Sequence, residues 1–362
     1  MNKKEPLFHI VKRTNISWKK SLLIKGIAIL LALLVCCILM LFIANANPLT
    51  VISQLFLGNF GTQRRFWILL RDMSLLLIVG LALVPAFKMK FWNLGGNGQI
   101  LMGSLAAIIC MYYMGKAGVN DGVIILVSII ASVVTGIIWA VIPSIFKAFF
   151  NTNETLFTLM LNYVAVSLVS IFLAIAVKSG SGTLETIKYG NLPQIGNDYL
   201  LTIIVAIVVL IFMYCYLKYS KHGYELTVVG ESEKTAKYIG INVKKVIIRT
   251  LVLSGAICGL VGLLLANGIN HSINTESANN MGFTAIMVAW LAKFNPLYMV
   301  GTSFLITFLT RGMHQVQTTF SITNNSIGDI ILGLMYFFII GCEFFTNYQI
   351  IFRKKEDKKN VL

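Results

Sequence analysis

Long, nearly uninterrupted apolar runs set the solvent in which this chain can fold. Leu22 to Ile43, Val123 to Phe146, Leu156 to Val177 and Tyr199 to Leu217 are each long enough to match a hydrocarbon core about 30 Å thick, which takes roughly 20 helical residues. Inside lipid every backbone N–H and C=O must find its partner within the protein, and a helix supplies those partners locally. Trp67 to Phe87, Ile100 to Met114, Ile247 to Ala266, Phe283 to Ala292, Leu297 to Leu309 and Ile327 to Phe345 continue the series. The expected fold is all-α: a polytopic membrane protein of about ten transmembrane helices, within a range of about eight to ten. Phe283–Ala292 and Leu297–Leu309 are short enough to span or to form one re-entrant hairpin around Lys293. Ten spans divide as five plus five, and odd-numbered halves insert in opposite orientations. The expected architecture is therefore an inverted repeat of two five-helix halves, although no strong internal sequence match accompanies it.

Only 12% of the 362 residues are charged and 57% are hydrophobic, whereas soluble domains use roughly 25% charged residues. The net charge of +16 would suggest nucleic acid in a soluble protein. Here the basic residues sit in tails and loops beside apolar spans, so no nucleic-acid partner is expected and the partner surface is the lipid bilayer. With the amino terminus inside, only Arg64, Arg65, Arg71, Lys116, Lys178, Lys188 and Arg311 of the 30 lysines and arginines fall outside. Cytoplasmic loops carry the basic excess, so both termini are expected in the cytoplasm. Residues 1–21 then form a basic cytoplasmic tail, 22–348 the transmembrane domain with a cytoplasmic segment at 218–249, and 349–362 a second basic tail. Ala44-Asn45-Ala46 has the small-residue pattern of a signal-peptidase site. The preceding apolar run exceeds a signal-peptide core, and an uncleaved first helix is expected.

Two hydrophilic segments stand out. Lys178 to Asp198 is glycine-rich and is expected as an external loop able to contact a soluble partner. Lys218 to Arg249 is internal, with a polar, proline-free helical pattern around Glu231 to Tyr238. It is longer than an ordinary connection, which favours a docking helix for another protein.

Catalytic signatures are missing. The sequence has no G-x-x-x-x-G-K-[ST] phosphate loop, no H-E-x-x-H and no G-x-S-x-G. No catalytic residue, metal site or bound cofactor is expected, and any ATP would be hydrolysed by another chain. The six cysteines lie in apolar runs and His9, His222, His271 and His314 are scattered, so the thiols are read as structural.

What remains is polar residues embedded in apolar sequence, which are costly at membrane depth and point to function. Phe91-Trp92-Asn93-Leu94-Gly95-Gly96-Asn97-Gly98-Gln99 combines aromatics, amides and glycines between two spans. It is either an interfacial turn with a tryptophan anchor or irregular backbone lining a pathway. Asn151 and Glu154 have capping-box spacing, and Asn162 and Tyr163 sit deeper in the following helix. Gly255 and Gly259 form a G-x-x-x-G pair suited to close helix packing. Trp290 and Asn295-Pro296 mark a break between two short spans.

Four stretches, in order and together covering about residues 80 to 345, resemble a known family: NLGGNGQILMG (Asn93–Gly103), NETLFTLMLNYVA (Asn153–Ala165), GYELTVVGESEKTAKYIGINV (Gly223–Val243) and GFTAIMVAWLAKFNPL (Gly282–Leu297). They are similar to the permease subunits of bacterial ABC importers of the branched-chain amino acid and simple-sugar superfamily, closest to its nucleoside branch. The resemblance implies a multi-pass protein of the bacterial cell membrane that works in a homodimer or heterodimer of permease subunits. It also implies two cytoplasmic ABC ATPase subunits or domains that use the ATP, and an extracellular substrate-binding lipoprotein. It makes Gly223 to Val243 the coupling region, with Gly223, Glu231, Lys234, Ala236, Gly240 and Asn242 the candidate ATPase contacts; there Ala236 and Gly240 are small enough for close approach of a partner. Where family members usually have glutamate, this chain has Asn97.

The expected function is the membrane pathway of an ATP-driven importer for nucleosides, purine nucleosides or related simple sugars. Trp92, Asn93, Asn97, Gln99, Asn162, Tyr163 and Trp290 are the candidate pathway residues, because amides match the polar edges of a flat neutral solute and aromatics match its ring faces. The alternative is an ion-coupled secondary transporter of a small neutral solute. That reading wants buried carboxylates, yet Asp72, Glu154, Asp329 and Glu343 lie near predicted span ends. A membrane enzyme lacks any catalytic constellation.

Overall fold

The computed structural model describes residues 8–12, 17–177, 184–322 and 325–352. Much of the two expected basic tails, including Lys3 and Lys358, lies outside the described residues, as do 178–183 of the external loop and 323–324. In chain order the elements are β1 (Phe8–Lys12), α1 (Trp18–Ala44), α2 (Pro48–Phe60), α3 (Gln63–Lys88), α4 (Gly96–Lys116), α5 (Asp121–Phe150) and α6 (Glu154–Ala176). There follow α7 (Leu200–Tyr219), α8 (Lys221–Glu231), α9 (Glu233–Tyr238), α10 (Val243–Leu265, continued as a π-turn over Ala266–Asn270), α11 (Met281–Leu291), α12 (Pro296–Thr319), α13 (Asn325–Asn347) and β2 (Tyr348–Phe352). Among the described residues, 8 helices are long and apolar enough to cross a membrane. The chain is a polytopic, essentially all-α membrane protein.

The chain forms two compact units, one of residues 1–62 with 308–362 and the other of 63–307. They are not two sequential halves, and α12 runs from one unit into the other. In the first unit, Ala28, Ala32, Cys36 and Met40 of α1 are buried at four-residue spacing, which makes one helical stripe. Ile331, Leu332, Met335, Ile339 and Cys342 form the matching stripe of α13, and α1 and α13 pack together. Gly58 of α2 leaves room for Gln315, whose Cβ would stand 2.7 Å from an added methyl. Asn59, fully buried, donates to the carbonyls of Leu55 and Phe308, each at 2.9 Å.

The same unit holds the one two-stranded ribbon among the described residues. β1 and β2 pair antiparallel, Phe8 opposite Phe352 and Lys12 opposite Tyr348. FHIVK and YQIIF are rich in aromatic and β-branched residues, which suit a pleated ribbon. Their separation in sequence hides the pairing from any local pattern.

The second unit is built on backbone contact between α4, α5 and α10. A Cβ at Gly103 would stand 2.7 Å from Gly259 Cα, one at Gly136 2.8 Å from the same atom, and one at Gly262 2.5 Å from the Ile100 carbonyl. The G-x-x-x-G pair thus meets two neighbouring helices at once, as small residues at membrane helix crossings do. The loop expected outside is docked rather than free: Ile187 N–H donates to the His271 carbonyl at 2.7 Å and Leu192 N–H to the Asn267 carbonyl at 3.0 Å.

Local expectations are corrected in three places. The cap of α6 is Asn153, which accepts from Leu156 N–H at 3.1 Å, while Asn151 ends α5 in the left-handed region at φ 51°. Glu154 instead pairs with Lys147 at 2.9 Å. The two short spans are unequal: α11 has 11 residues, about 16 Å at 1.5 Å per residue, too short to cross alone. α12 has 24 residues and continues to Thr319, well past Leu309.

Replacing Gly259 by leucine forces side-chain atoms into the Ser132 carbonyl; overpacking of this kind costs about 1–3 kcal/mol. The thermal unfolding midpoint of the purified chain in detergent should fall by several degrees, whereas Gly301→Ala, which meets nothing within 4 Å, should leave it unchanged.

Candidate functional site

Between α3 and α4 the backbone leaves helical geometry, and this break is where the buried amides gather. After Lys90, at φ 59°, the chain runs without regular structure through Phe91–Gly95 and restarts as α4 at Gly96. Asn162, which holds this stretch, is eight residues into α6, and Ser254 is eleven residues into α10. At 1.5 Å per residue these are depths of about 12 and 16 Å from the helix starts. The irregular backbone therefore lies well inside the bundle, where it survives only if protein groups satisfy it.

Asn162 and Asn93 do that work, Asn97 ties the start of α4 to α11, and Gln99 Oε1 is left unpaired. Asn162 accepts from Gly98 N–H at 2.8 Å through Oδ1 and donates to the Leu94 carbonyl at 2.9 Å through Nδ2. Leu94 N–H donates to Thr158 Oγ1 at 3.2 Å. Asn93 Oδ1 accepts from Gly95 N–H at 3.0 Å and, more weakly, from Gln99 Nε2 at 3.4 Å, while Asn93 Nδ2 donates to Ser254 Oγ at 3.3 Å. Asn97 Oδ1 accepts from Gly282 N–H at 2.7 Å and Asn97 Nδ2 donates to Asn280 Oδ1 at 3.3 Å. The second of these contacts needs a donor that a carboxylate at position 97 would lack. Gly98 is glycine because any Cβ would meet Asn162 Oδ1 at 2.8 Å and Trp139 Nε1 at 2.9 Å.

Six of the seven candidate pathway residues divide into two groups. Asn93, Gln99, Asn162 and Asn97 are 0%, 1%, 7% and 8% exposed. Trp92 and Trp290 are 40% and 45% exposed, with ring centroids 5.3 Å apart. Phe87 meets the edge of Trp92 at 5.8 Å and stacks on Phe294 at 6.0 Å, so the two tryptophans rest on an aromatic base. Tyr163 is exposed, turned about 100° around α6 from the buried Asn162. Thr158, Ser254 and Asn280 complete the amide network without having been singled out by sequence. Only Thr158 left a signal, lying four residues before Asn162 and so on its face.

A sequence profile described as "Branched-chain amino acid transport system / permease component" matches residues 66–340. The chain belongs to this family. Among relatives of the permease, the guanosine ABC transporter permease protein NupP of Bacillus subtilis (strain 168) is 28% identical over 88% of this chain and 92% of its own. The glucose ABC transporter permease protein TsgB13 of Haloferax volcanii is 24% identical over 84% of each chain. The nucleoside ABC transporter permease protein NupB of Lactococcus lactis subsp. cremoris is 25% identical over 81% of this chain and 84% of its own.

In this permease the segment 218–249 is two helices, not one. Ser220 caps α8 by accepting from Gly223 N–H at 3.0 Å; Ser232 breaks the chain and caps α9 by accepting from Thr235 N–H at 3.3 Å. Gly223 is buried because a Cβ there would meet the Leu217 and Tyr216 carbonyls at 2.5 and 2.7 Å. Gly230 lies so close to the Lys88 carbonyl that no side chain fits. Leu226, Val229 and Ala236 join Ala86, Met89, Phe91, Val246 and Leu251 in one apolar core. Arg249 clamps the pair by a 2.8 Å bridge to Glu225. Burial pushes the Glu225 carboxyl up, but the Arg249 hydrogen bond and charge, joined by His222, hold it below the usual carboxylate range.

Two expectations for this segment change. Ala236 is fully buried, so its small side chain seats α9 and is not a surface that a partner approaches. Asn242 caps α10, accepting from Lys245 N–H at 3.1 Å. Glu231, Lys234 and Gly240 are exposed, with Gly240 at φ +82° and nothing within 4 Å of an added Cβ. Beside them Tyr238 and Ile239 are exposed apolar residues that polarity-based reading passed over.

Asn162→Leu removes the partners of Gly98 N–H and the Leu94 carbonyl, at about 1–3 kcal/mol per buried group. Its unfolding midpoint should fall markedly in a detergent thermal scan, while Tyr163→Phe, one residue along, should match the parent.

Proposed function

We propose that this permease forms the translocation pathway of an ATP-driven importer for nucleosides. The names of two of its relatives, one a guanosine permease and one a nucleoside permease, support that substrate class over simple sugars, which the Haloferax relative represents. Two permease subunits would enclose the pathway. ATP would be hydrolysed by two cytoplasmic subunits or domains, and an extracellular lipoprotein would deliver the solute. In this arrangement both termini and the α8–α9 pair face the cytoplasm, in keeping with the basic residues of residues 218–249.

The observation that carries the mechanism is the seat of Gly230 on the Lys88 carbonyl. Lys88 ends α3, and three residues later begins the irregular stretch that Asn93, Asn97 and Asn162 hold. An ATPase that grips the exposed edge of α9 and moves it as a rigid body therefore displaces the α3–α4 link through backbone contact. Interiors at this packing density transmit displacement rather than absorb it. Trp92 and Trp290, next to that link, supply ring faces for a flat solute. The amides behind them keep the backbone in register and are second in line to the solute.

In membrane vesicles, uptake of guanosine should persist when ionophores collapse the ion gradients and should stop when ATP is withdrawn; the reverse pattern would establish the ion-coupled alternative. Glu231→Lys, Tyr238→Ala and Gly240→Trp should each reduce co-purification of the ATPase and lower uptake at least tenfold, with the permease still eluting as the folded species. Full uptake by all three would remove α8–α9 from the coupling role.

A further inference from the structure

At the opposite end of the same unit from α8–α9 lies a polar cavity that the coupling mechanism does not use. α7 and α10 fix its distance. α7 begins beside the cavity at Leu200 and ends 20 residues later next to α8, about 30 Å away at 1.5 Å per residue. α10 starts next to α9 and reaches the cavity through Leu264 and its π-turn. The cavity has a volume of about 260 Å³ and is walled by the first turns of α3 and α7, the docked loop and the π-turn.

Its chemistry is mixed and almost balanced in charge. Arg64 and Arg71 enter from α3, Asn191, Asp198 and Tyr199 from the loop and the start of α7, and His271 from beyond the π-turn. Arg71 is held by Asp72 at 2.8 Å and lies 5.8 Å from the centre of the Tyr199 ring. Arg64 is exposed and has no partner among the described residues. Two buried acceptor-capable atoms of the lining, Asn191 Oδ1 and His271 Nδ1, also have no hydrogen-bond partner there. Just behind them Asn267, fully buried, spends its Nδ2 on the Gly190 carbonyl at 2.9 Å and leaves Oδ1 unpaired. Burial lowers the His271 pKa from its ordinary value, so at neutral pH the imidazole is mostly uncharged and adds no positive charge.

The lining thus holds one free guanidinium, Arg64, a second already paired with Asp72 outside the lining, the Asp198 carboxylate, and the unpaired Asn191 Oδ1 and His271 Nδ1, which is not a site built for a free anion. These groups offer donors and acceptors around one cavity, which a pair of adjacent hydroxyls satisfies together, each hydroxyl donating once and accepting once. Buried polar atoms left unpaired are unfavourable, so a ligand that pairs with them is favoured. We propose that this cavity binds the vicinal-diol face of a small neutral sugar ring, the ribose of a nucleoside or a pyranose, before the solute enters the bundle. The proposal rests on the importer reading for the choice among diol ligands and for the side of the membrane on which the cavity opens.

The test uses the purified full-length permease in nanodiscs, with neither ATPase nor lipoprotein, titrated calorimetrically with guanosine, glucose, 2′,3′-dideoxyguanosine and inorganic phosphate. Guanosine or glucose should bind, the dideoxy analogue at least tenfold more weakly, and Arg64→Gln and Asp198→Asn should each weaken the diol ligand about tenfold. Arg64→Lys, which keeps a charged donor where glutamine keeps only a neutral one, should lose less. Equal binding of guanosine and its dideoxy analogue, no binding of either diol, or phosphate binding that alone responds to Arg64→Gln would overturn the proposal. ATP dependence of vesicle uptake is read separately. ATP-driven uptake with an unchanged KM in both variants removes this site and leaves the importer standing, whereas diol binding combined with ATP-independent uptake does the opposite.

Discussion

Everything in the larger unit depends on one constraint: a stretch of non-helical backbone deep in the bundle must have its hydrogen bonds supplied by side chains. Water and lipid cannot serve there. Asn162 provides the tightest answer, with one donor and one acceptor engaged at 2.9 and 2.8 Å. An amide can do both at once, which neither a carboxylate nor an aliphatic residue can. The glycines at 95 and 98 follow from the same requirement, because amides stand where a Cβ would be, while Gly96 makes room for the backbone of Gly282.

The second dependence is backbone-to-backbone contact. α4, α5 and α10 meet through Gly103, Gly136, Gly255, Gly259 and Gly262, and α8 meets the end of α3 through Gly230. Side chains can change rotamer and dissipate a push; backbone against backbone cannot. The permease therefore has stiff links at both levels, one joining the helices that bear the amide network and one joining that network to α8–α9. Between them the aromatic group of Phe87, Trp92, Trp290 and Phe294 is the softer part, with its tryptophans half exposed.

Much of this was legible in the sequence. Period and length gave the spans, since only helices satisfy a backbone in lipid, and the run Phe91–Gln99 stood out because amides and glycines are improbable there without a purpose. The G-x-x-x-G of α10 announced close packing. Reading the amides as solute contacts, however, could not anticipate that Asn93, Asn97 and Asn162 would have their polar atoms engaged by the protein itself. That depends on Thr158, Ser254, Asn280 and Gly282, which lie far away along the chain. Ala236 illustrates the same limit in reverse: a small residue in a polar segment reads as a point of approach, yet it faces the core.

The sequence by itself determined the solvent, the class of fold and the family, because hydropathy, helical length and four ordered motifs are local properties that survive without knowledge of contacts. Only the tertiary structure decided which polar residues are spent on the protein and which remain available. It also decided that β1 finds β2 across more than three hundred residues, that α11 stops short of a crossing, and that a loop, two helix starts and a π-turn enclose one cavity. Each of those outcomes is a pairing between distant segments, and hydrogen-bond satisfaction in a low-dielectric interior is a property of pairs that no local pattern records.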